Sequence, residues 1–513
     1  MKRSAFPLLV LAALAAMGAM RRPAQSVPIT TCTEGGAFFA TLLPAEAEAI
    51  AQAAAAALNV NTATIAVVDR AGRPLVVFRQ PSAVASNDDQ AVGVARTAAF
   101  FSHNMAPLSS RTVRFISGIH FPPGVSNAPN AALYGIENTN RGCDLGIPFN
   151  SGRSVPPAKS LSGGPGTGIV TGKRQPDDAD PSAVNAGGIP IYRNGNLLGG
   201  VGVVGIAGDP QFAEFAAVTG VFNGGFAPVP VYPLPEPGNV FIDGVRLPFL
   251  GPDQKLRFDA NGAPVGLVQP AGTSPGTAAG TYSLRNGTSG CAPNIYLAGP
   301  HPGSALTQAQ VEDIVRRADR AAKRTRAIIR LPLNSYTRMV IAVSDVDGEI
   351  LALYRMPDAT VFSIDVAVAK ARNVVAFTNA GLPGVASGTA ITNRTIGFGA
   401  QPLYPPGIDK SKPGPFYSIF LGDLASACQQ GNGIVFFPGA TPLYSGGKLV
   451  GGLGISGDGV EQDDYVTVLG AGELLPDPKI WADRVKVDGV RLPMFKFPRQ
   501  PEGVTECAGV PCT

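Results

Sequence analysis

The sequence predicts an α+β fold built twice in tandem, each copy an antiparallel sheet with helices packed to one side. Three observations carry it. A glycine-rich hairpin pattern occurs at Gly188–Gly205 and again at Gly439–Asp458, with Asn194-Gly195 and Gly446-Gly447 at the turns. The hexapeptide Asp-Gly-Val-Arg-Leu-Pro stands at 243–248 and again at 488–493. Between these landmarks both copies run helix, strand–turn–strand, helix, long insert, hairpin, helix. Two-residue Gly-Gly or Asn-Gly links between apolar runs signal tight hairpins. Strands joined in this way form antiparallel sheets rather than parallel α/β ones.

Each element has its own local reason. Pro44–Leu58 is rich in strong helix formers behind an N-terminal proline. Thr64–Arg79 reads as strand, Ala71-Gly72 turn, strand, and Asp88–Phe101 as a helix with Val92, Ala95 and Ala99 on its apolar stripe. Residues 104–186 form an insert rich in Pro, Gly, Ser and Asn, with short ordered pieces only. The hairpin, a short helix over Gln211–Thr219 and a closing Phe241–Phe249 segment complete a first domain at 42–250. Residues 251–303 read as a polar Gly/Pro-rich linker. The second domain, 304–495, repeats the order: a helix capped by Thr307, strand–turn–strand over Val340–Tyr354, and a helix over Ser363–Phe377. Its hairpin, a helix around Asp463–Leu469 and Val487–Phe495 follow, and 496–513 form a tail.

Length and composition bound the function. At 513 residues the chain is too long for one core. A net charge of +4 over that length points neither to nucleic acid nor to an anionic membrane surface. Met1-Lys2-Arg3, the apolar run Ala5–Met20 and the small-x-small pattern Ala24-Gln25-Ser26 read as a signal peptide over 1–26. A cut after Ala19, or an uncleaved anchor, are the alternatives. The expected location is periplasmic or secreted, with no integral membrane span once the signal is cleaved. An exported chain with six cysteines favours disulfides. Cys32 and Cys291 each precede a copy and Cys143 and Cys428 each lie in an insert, so the duplication pairs Cys32 with Cys143, Cys291 with Cys428, and Cys507 with Cys512.

Five blocks in the second copy carry a resemblance: Ile341–Ala352, Ser363–Arg372, Phe437–Leu443, Gly451–Gly457 and Glu461-Gln462-Asp463. In content and order they resemble the GlcG/HbpS-like haem-binding family, whose domain also forms the C-terminal part of PduO proteins. The first copy keeps Ile65–Leu75 and the helix pair Asp89 and Arg96, matching Asp365 and Arg372, but has Val94 where the second has Lys370. The resemblance implies a profilin-like or PAS-like domain, a tendency to form homo-oligomers, and haem binding in some members without a fixed ligand motif.

The candidate chemistry follows. Asp365 and Arg372 lie seven apart, on one helix face. With Lys370, Glu461 and Asp463 they could line a pocket for carboxylates such as haem propionates, Arg372 and Arg96 being the anionic-ligand anchors. The plainer alternative is a salt-bridge network joining helix to hairpin loop. Among three histidines, His103 is the candidate haem axial ligand. Gly200-x-Gly202-x-x-Gly205 and Gly452-x-Gly454-x-x-Gly457 spell a dinucleotide fingerprint, but they lie along a hairpin strand with no βαβ unit, so no nicotinamide or flavin site is read from them. Their expected role is close approach to the sheet backbone. Asp69–Gly72 and Asp345–Gly348 lack a full calcium loop and read as turns, zinc spacing is absent, and no metal site is predicted. The reading is an exported binding protein for haem or a similar small carboxylate-bearing ligand. An enzyme acting on a small organic ligand in the second domain, or a structural or partner-binding pseudo-dimer, are the alternatives.

Overall fold

The computed structural model describes residues 31–34, 37–136, 139, 154–155, 166–171, 184–230, 240–261, 263–290, 296–408, 412–421, 433–504, 506–507 and 510–511. In the first half these contain α1 (Pro44–Ala56), β1 (Thr64–Asp69), β2 (Pro74–Arg79), α2 (Asn87–Phe101) and α3 (Ser110–Phe115). There follow β3 (Gly188–Arg193), β4 (Asn196–Val204), α4 (Pro210–Asn223) and β5 (Thr281–Leu284). The second half has β6 (Tyr296–Ala298), α5 (Gln308–Ala322), β7 (Val340–Ser344), β8 (Ile350–Arg355), α6 (Ser363–Ala380) and α7 (Asn393–Gly399). It ends with β9 (Ala440–Ser445), β10 (Lys448–Ser456) and α8 (Val460–Ala471).

Two five-stranded antiparallel sheets result, in the orders β5-β2-β1-β4-β3 and β6-β8-β7-β10-β9. The hairpins turn where expected: Asn194-Gly195 and Gly446-Gly447 all take positive φ, as a two-residue turn between twisted strands requires. Two features differ from the sequence reading. The segment 251–303, read as a linker, supplies the edge strands β5 and β6, one to each sheet. Helices also cover both faces of each sheet rather than one. Ile65 and Val67 of β1 pack in the cluster with α1 and α4, while Ala66 and Val68 pack in the cluster with α2. All six residues of β1 are therefore buried, and its sequence lacks the apolar–polar alternation of a one-sided strand.

The glycines of the hairpins explain the close fit of the long helices. A Cβ on Gly200 or Gly202 would stand 2.4 or 2.2 Å from the carbonyl oxygens of Ala95 and Ala91 in α2. On Gly452 or Gly454 it would stand 2.2 Å from those of Ala371 and Ala367 in α6. The repeated hexapeptide is structural too. Asp243-Gly244 and Asp488-Gly489 make positive-φ turns, and the chain beyond them is tied to the helix that opens each insert. Thr112 and Ser109 donate to the carbonyls of Pro248 and Phe249 at 2.7 and 2.5 Å. Thr395 and Thr392 do the same to Pro493 and Met494 at 2.7 and 2.8 Å.

The halves share a core on the α2 face of the first sheet. A single apolar cluster contains α2 residues of the first half together with both faces of the second sheet. Phe101 stacks on Phe362 at 4.1 Å across the junction. No helix among the described residues is long and apolar enough to cross a membrane. The signal segment 1–26 and the side chains of all six cysteines, hence the three pairings, lie outside the described residues.

Candidate functional site

The family-marked residues of the second half meet where α6 crosses the end of β10. Lys370 is fully buried, and its Nζ donates to the Ile455 carbonyl at 2.7 Å and to Asp463 Oδ2 at 2.9 Å, with the Phe437 ring centroid 5.0 Å away. Gly439, at φ 114°, leaves room for this pair: a Cβ there would lie 2.8 Å from Nζ. Burial raises the Asp463 carboxyl to about 7 against the pull of Lys370, and burial lowers the Lys370 ammonium against the pull of Asp463. The pair ties α6 to the first turn of α8, a salt bridge between two helices where the sequence reading placed one between helix and hairpin loop.

The other predicted residues disperse. Asp365 is buried in the first turn of α6. Arg372 and Arg96 each donate Nε to the carbonyl of a turn glycine, Gly348 at 2.6 Å and Gly72 at 2.7 Å, so they brace the β-turns. Burial lowers both guanidiniums, Arg96 to about 10 with Asp89 and Asp69 opposing. Glu461 pairs with Lys496 at the surface. The carboxylates of Asp345, Asp347 and Glu349 come within 4.8 Å of one another, but Asp345 accepts from Ser304 and Val346 as a turn residue does.

His103 lies between the halves, fully buried, in a charged network that the sequence reading did not foresee. Its Nδ1 accepts from the Met105 N–H at 3.2 Å, which places the proton of a neutral ring on Nε2. Burial and then Arg330 hold it well below its ordinary value, so it stays neutral. Around it Asp358 bridges Arg70 at 2.6 Å and Arg330 at 2.8 Å, and Arg330 also contacts Asp458. Burial works against the Asp358 charge, yet Arg330 and Arg70 outweigh it and hold the carboxyl far below its usual range. His103 is thus enclosed in a structural junction, and it does not line the cavity beside it.

That cavity has a volume of about 80 Å³ and lies between the halves, lined by residues such as Phe101 and Leu133 of the first half and Phe362 and Phe437 of the second. Asp463 closes one end, with Glu461 and Gln462 of the α8 N-terminus. A second depression, about 610 Å³, lies wholly in the first half, over the segment that follows the repeated hexapeptide. Phe115, Phe249 and Phe258 give it apolar walls, and Arg246 and Lys255 bring positive charge to it. The sequence reading missed this place. Its residues come from α3, from the end of the repeated hexapeptide and from the segment read as a linker, and Lys255 and Phe258, a basic and an aromatic residue in that polar stretch, were the available signal.

The family described as haem degrading protein HbpS-like matches residues 43–217 and 306–471, one match per half. No curated protein matches. Among solved structures, the Klebsiella pneumoniae protein ORFY is 20% identical over 32% of this chain and 86% of its own, with a TM-score of 0.23. A PduOC–haem complex is 27% identical over 33% of this chain and 96% of its own, at 0.23. A double mutant of Streptomyces reticuli HbpS is 18% identical over 34% and 88%, at 0.22.

Proposed function

The chain belongs in both halves to the family of HbpS-like haem degrading proteins, and from that premise we propose that it binds haem or a similar small carboxylate-bearing ligand. The observation that carries this reading is the first-half groove. Its 610 Å³ falls within the range of about 300–1,000 Å³ typical of small-ligand sites. Aromatic walls suit a planar macrocycle, and Arg246 and Lys255 suit its carboxylates. The cavity between the halves fits such a ligand poorly. It is far smaller, and its charged lining residues, Asp243, Glu461 and Asp463, are all acidic. Among the described residues no His, Met, Cys or Tyr lines the groove, so recognition by its lining residues runs through ring and carboxylates rather than through an axial bond.

Titration of the purified protein with ferric haem, followed in the Soret region, tests this. The expected result is a saturable change at one equivalent, reproduced by metal-free protoporphyrin followed by fluorescence. Lys255→Glu and Arg246→Glu should each weaken it about tenfold, or about 1.4 kcal/mol. Absence of any saturable change would remove haem from the reading. We also propose export, which the basic and apolar start of the sequence supports. N-terminal sequencing of the mature protein checks it.

A further inference from the structure

We propose that His103 is an acid-sensitive latch between the halves: when its ring takes up a second proton, the turn that holds the junction closed gives way. The turn is His103–Ala106, and both of its middle residues bond across the junction. Asn104 donates its N–H to Asp358 Oδ1 at 3.1 Å, and the Met105 carbonyl accepts from the Leu331 N–H at 3.1 Å. Within the turn, His103 and Ala106 exchange backbone bonds, and the Tyr192 hydroxyl of β3 lies 2.8 and 3.1 Å from their carbonyl oxygens. The His103 ring completes it, Nδ1 accepting the Met105 N–H at 3.2 Å.

A neutral ring fits this arrangement and a protonated one does not. The second proton goes to Nδ1, the nitrogen that faces the Met105 N–H, and turns an acceptor into a donor. The bond that fixes Met105 is then lost, and Met105 is what Leu331 holds. The added charge is also badly placed. Arg70 faces the ring from the β1–β2 turn, Arg330 and Arg338 from the segment before β7, Asp358 from the segment before α6, and Asp458 from the segment after β10. Tyr192 stays a neutral phenol, raised by burial. Both carboxylates are already engaged, Asp358 by Arg70 and Arg330 and Asp458 by Arg330. Asp458 Oδ1 stands 3.9 Å from Nε2, which carries a hydrogen in the neutral ring as well, so the second proton gains no new hydrogen bond there. Burial, and then Arg330, keep the ring neutral while the junction is closed. Released to solvent it ionises at about 6.5. Below that pH the open form binds a proton that the closed form lacks, so the junction is tightest above it and loosens as pH falls.

Amide hydrogen exchange on the full-length protein, corrected for the intrinsic pH dependence of exchange, reads the opening at Leu331. Its opening constant should rise about thirtyfold from pH 7.5 to pH 5. His103→Asn keeps an acceptor in place of Nδ1 without a titrating ring, and Asn379 stands at the matching position of the second half. In that variant the constant should change less than about threefold over the same range. No rise in the wild-type protein, or an equal rise in the variant, would overturn the proposal. A parallel rise at amides of β1 and β7 would show the whole fold yielding rather than the latch, and would overturn it too. Should His103→Asn fail to fold, an NMR titration of the His103 ring decides on the unaltered chain. The closed form should keep the signal of a neutral ring down to pH 5. Titration near 6.5 with Leu331 still protected would show that the junction tolerates the proton and sink the latch.

Discussion

At the scale of single residues, the behaviour of buried charge decides what each group can do. Lys370→Met keeps the length of the side chain and strands Asp463 in the interior, which should cost about 3–5 kcal/mol in urea unfolding at pH 8. The loss should shrink at pH 5, where the stranded carboxyl takes up a proton. Lys370→Met with Asp463→Leu should recover most of the loss, because removing both partners leaves no uncompensated charge. Asp69 gives a cleaner pH signature. Burial, against the pull of Arg73 and three backbone N–H groups, raises its carboxyl from 3.8 to about 6. Between those values the native protein holds a proton that the unfolded chain has released, so the contribution of Asp69 to stability falls as pH climbs from about 4 to about 6. Asp69→Asn should flatten that part of the stability curve, measured as denaturation midpoints at half-unit intervals. An unchanged slope would show that Asp69 ionises normally.

Helices and strands here fit at the level of backbone against backbone, and glycine makes that possible. Gly454→Ala would put a methyl 2.2 Å from the Ala367 carbonyl and 2.6 Å from the Ala371 nitrogen, so α6 must lift from the sheet. We expect a loss of at least 1–3 kcal/mol, roughly the overpacking cost. Gly447→Asn is the control. Its φ of +77° suits asparagine and nothing lies within 4 Å, so the melting temperature should barely move. These elements were legible in the sequence because their signals are local. A two-residue turn, a helix face with small residues and a repeated Asp-Gly each announce themselves within a few positions. Lys370 and Asp463 were both legible as candidates, but their pairing was not, because Asp463 reaches Lys370 from the first turn of α8 only through tertiary packing. The edge strands β5 and β6 were not, since they are short and sit in a polar stretch that gains strand geometry only by pairing with β2 and β8. Nor was the junction network of Arg70, Arg330, Asp358 and Asp458, whose members stand up to 388 positions apart (458 − 70) and meet only through tertiary packing.

The molecule as a whole behaves as one cooperative body if the junction is as continuous as its contacts. Two tandem domains joined by a linker ordinarily unfold in separate steps, because inter-domain surfaces are modest and polar. Here one apolar cluster runs from α2 through the second sheet, and backbone bonds cross the junction from Leu331 to Met105 at 3.1 Å and from Val361 to Phe100 at 3.1 Å. The fully buried Arg330 ties Asp358 to Asp458, while Arg70 reaches the same Asp358 from the first half. Separating the halves would bare this apolar surface and leave those charges without compensation. Scanning calorimetry should therefore show one transition whose calorimetric and van't Hoff enthalpies agree, despite two sheets. Arg330→Met removes the cation that two buried carboxylates share, and should lower stability by about 3–5 kcal/mol. It should also split the transition in two, because the junction fails before either sheet does. Two transitions in the unmodified protein would show that each half keeps its own stability, and that the shared cluster does not couple them.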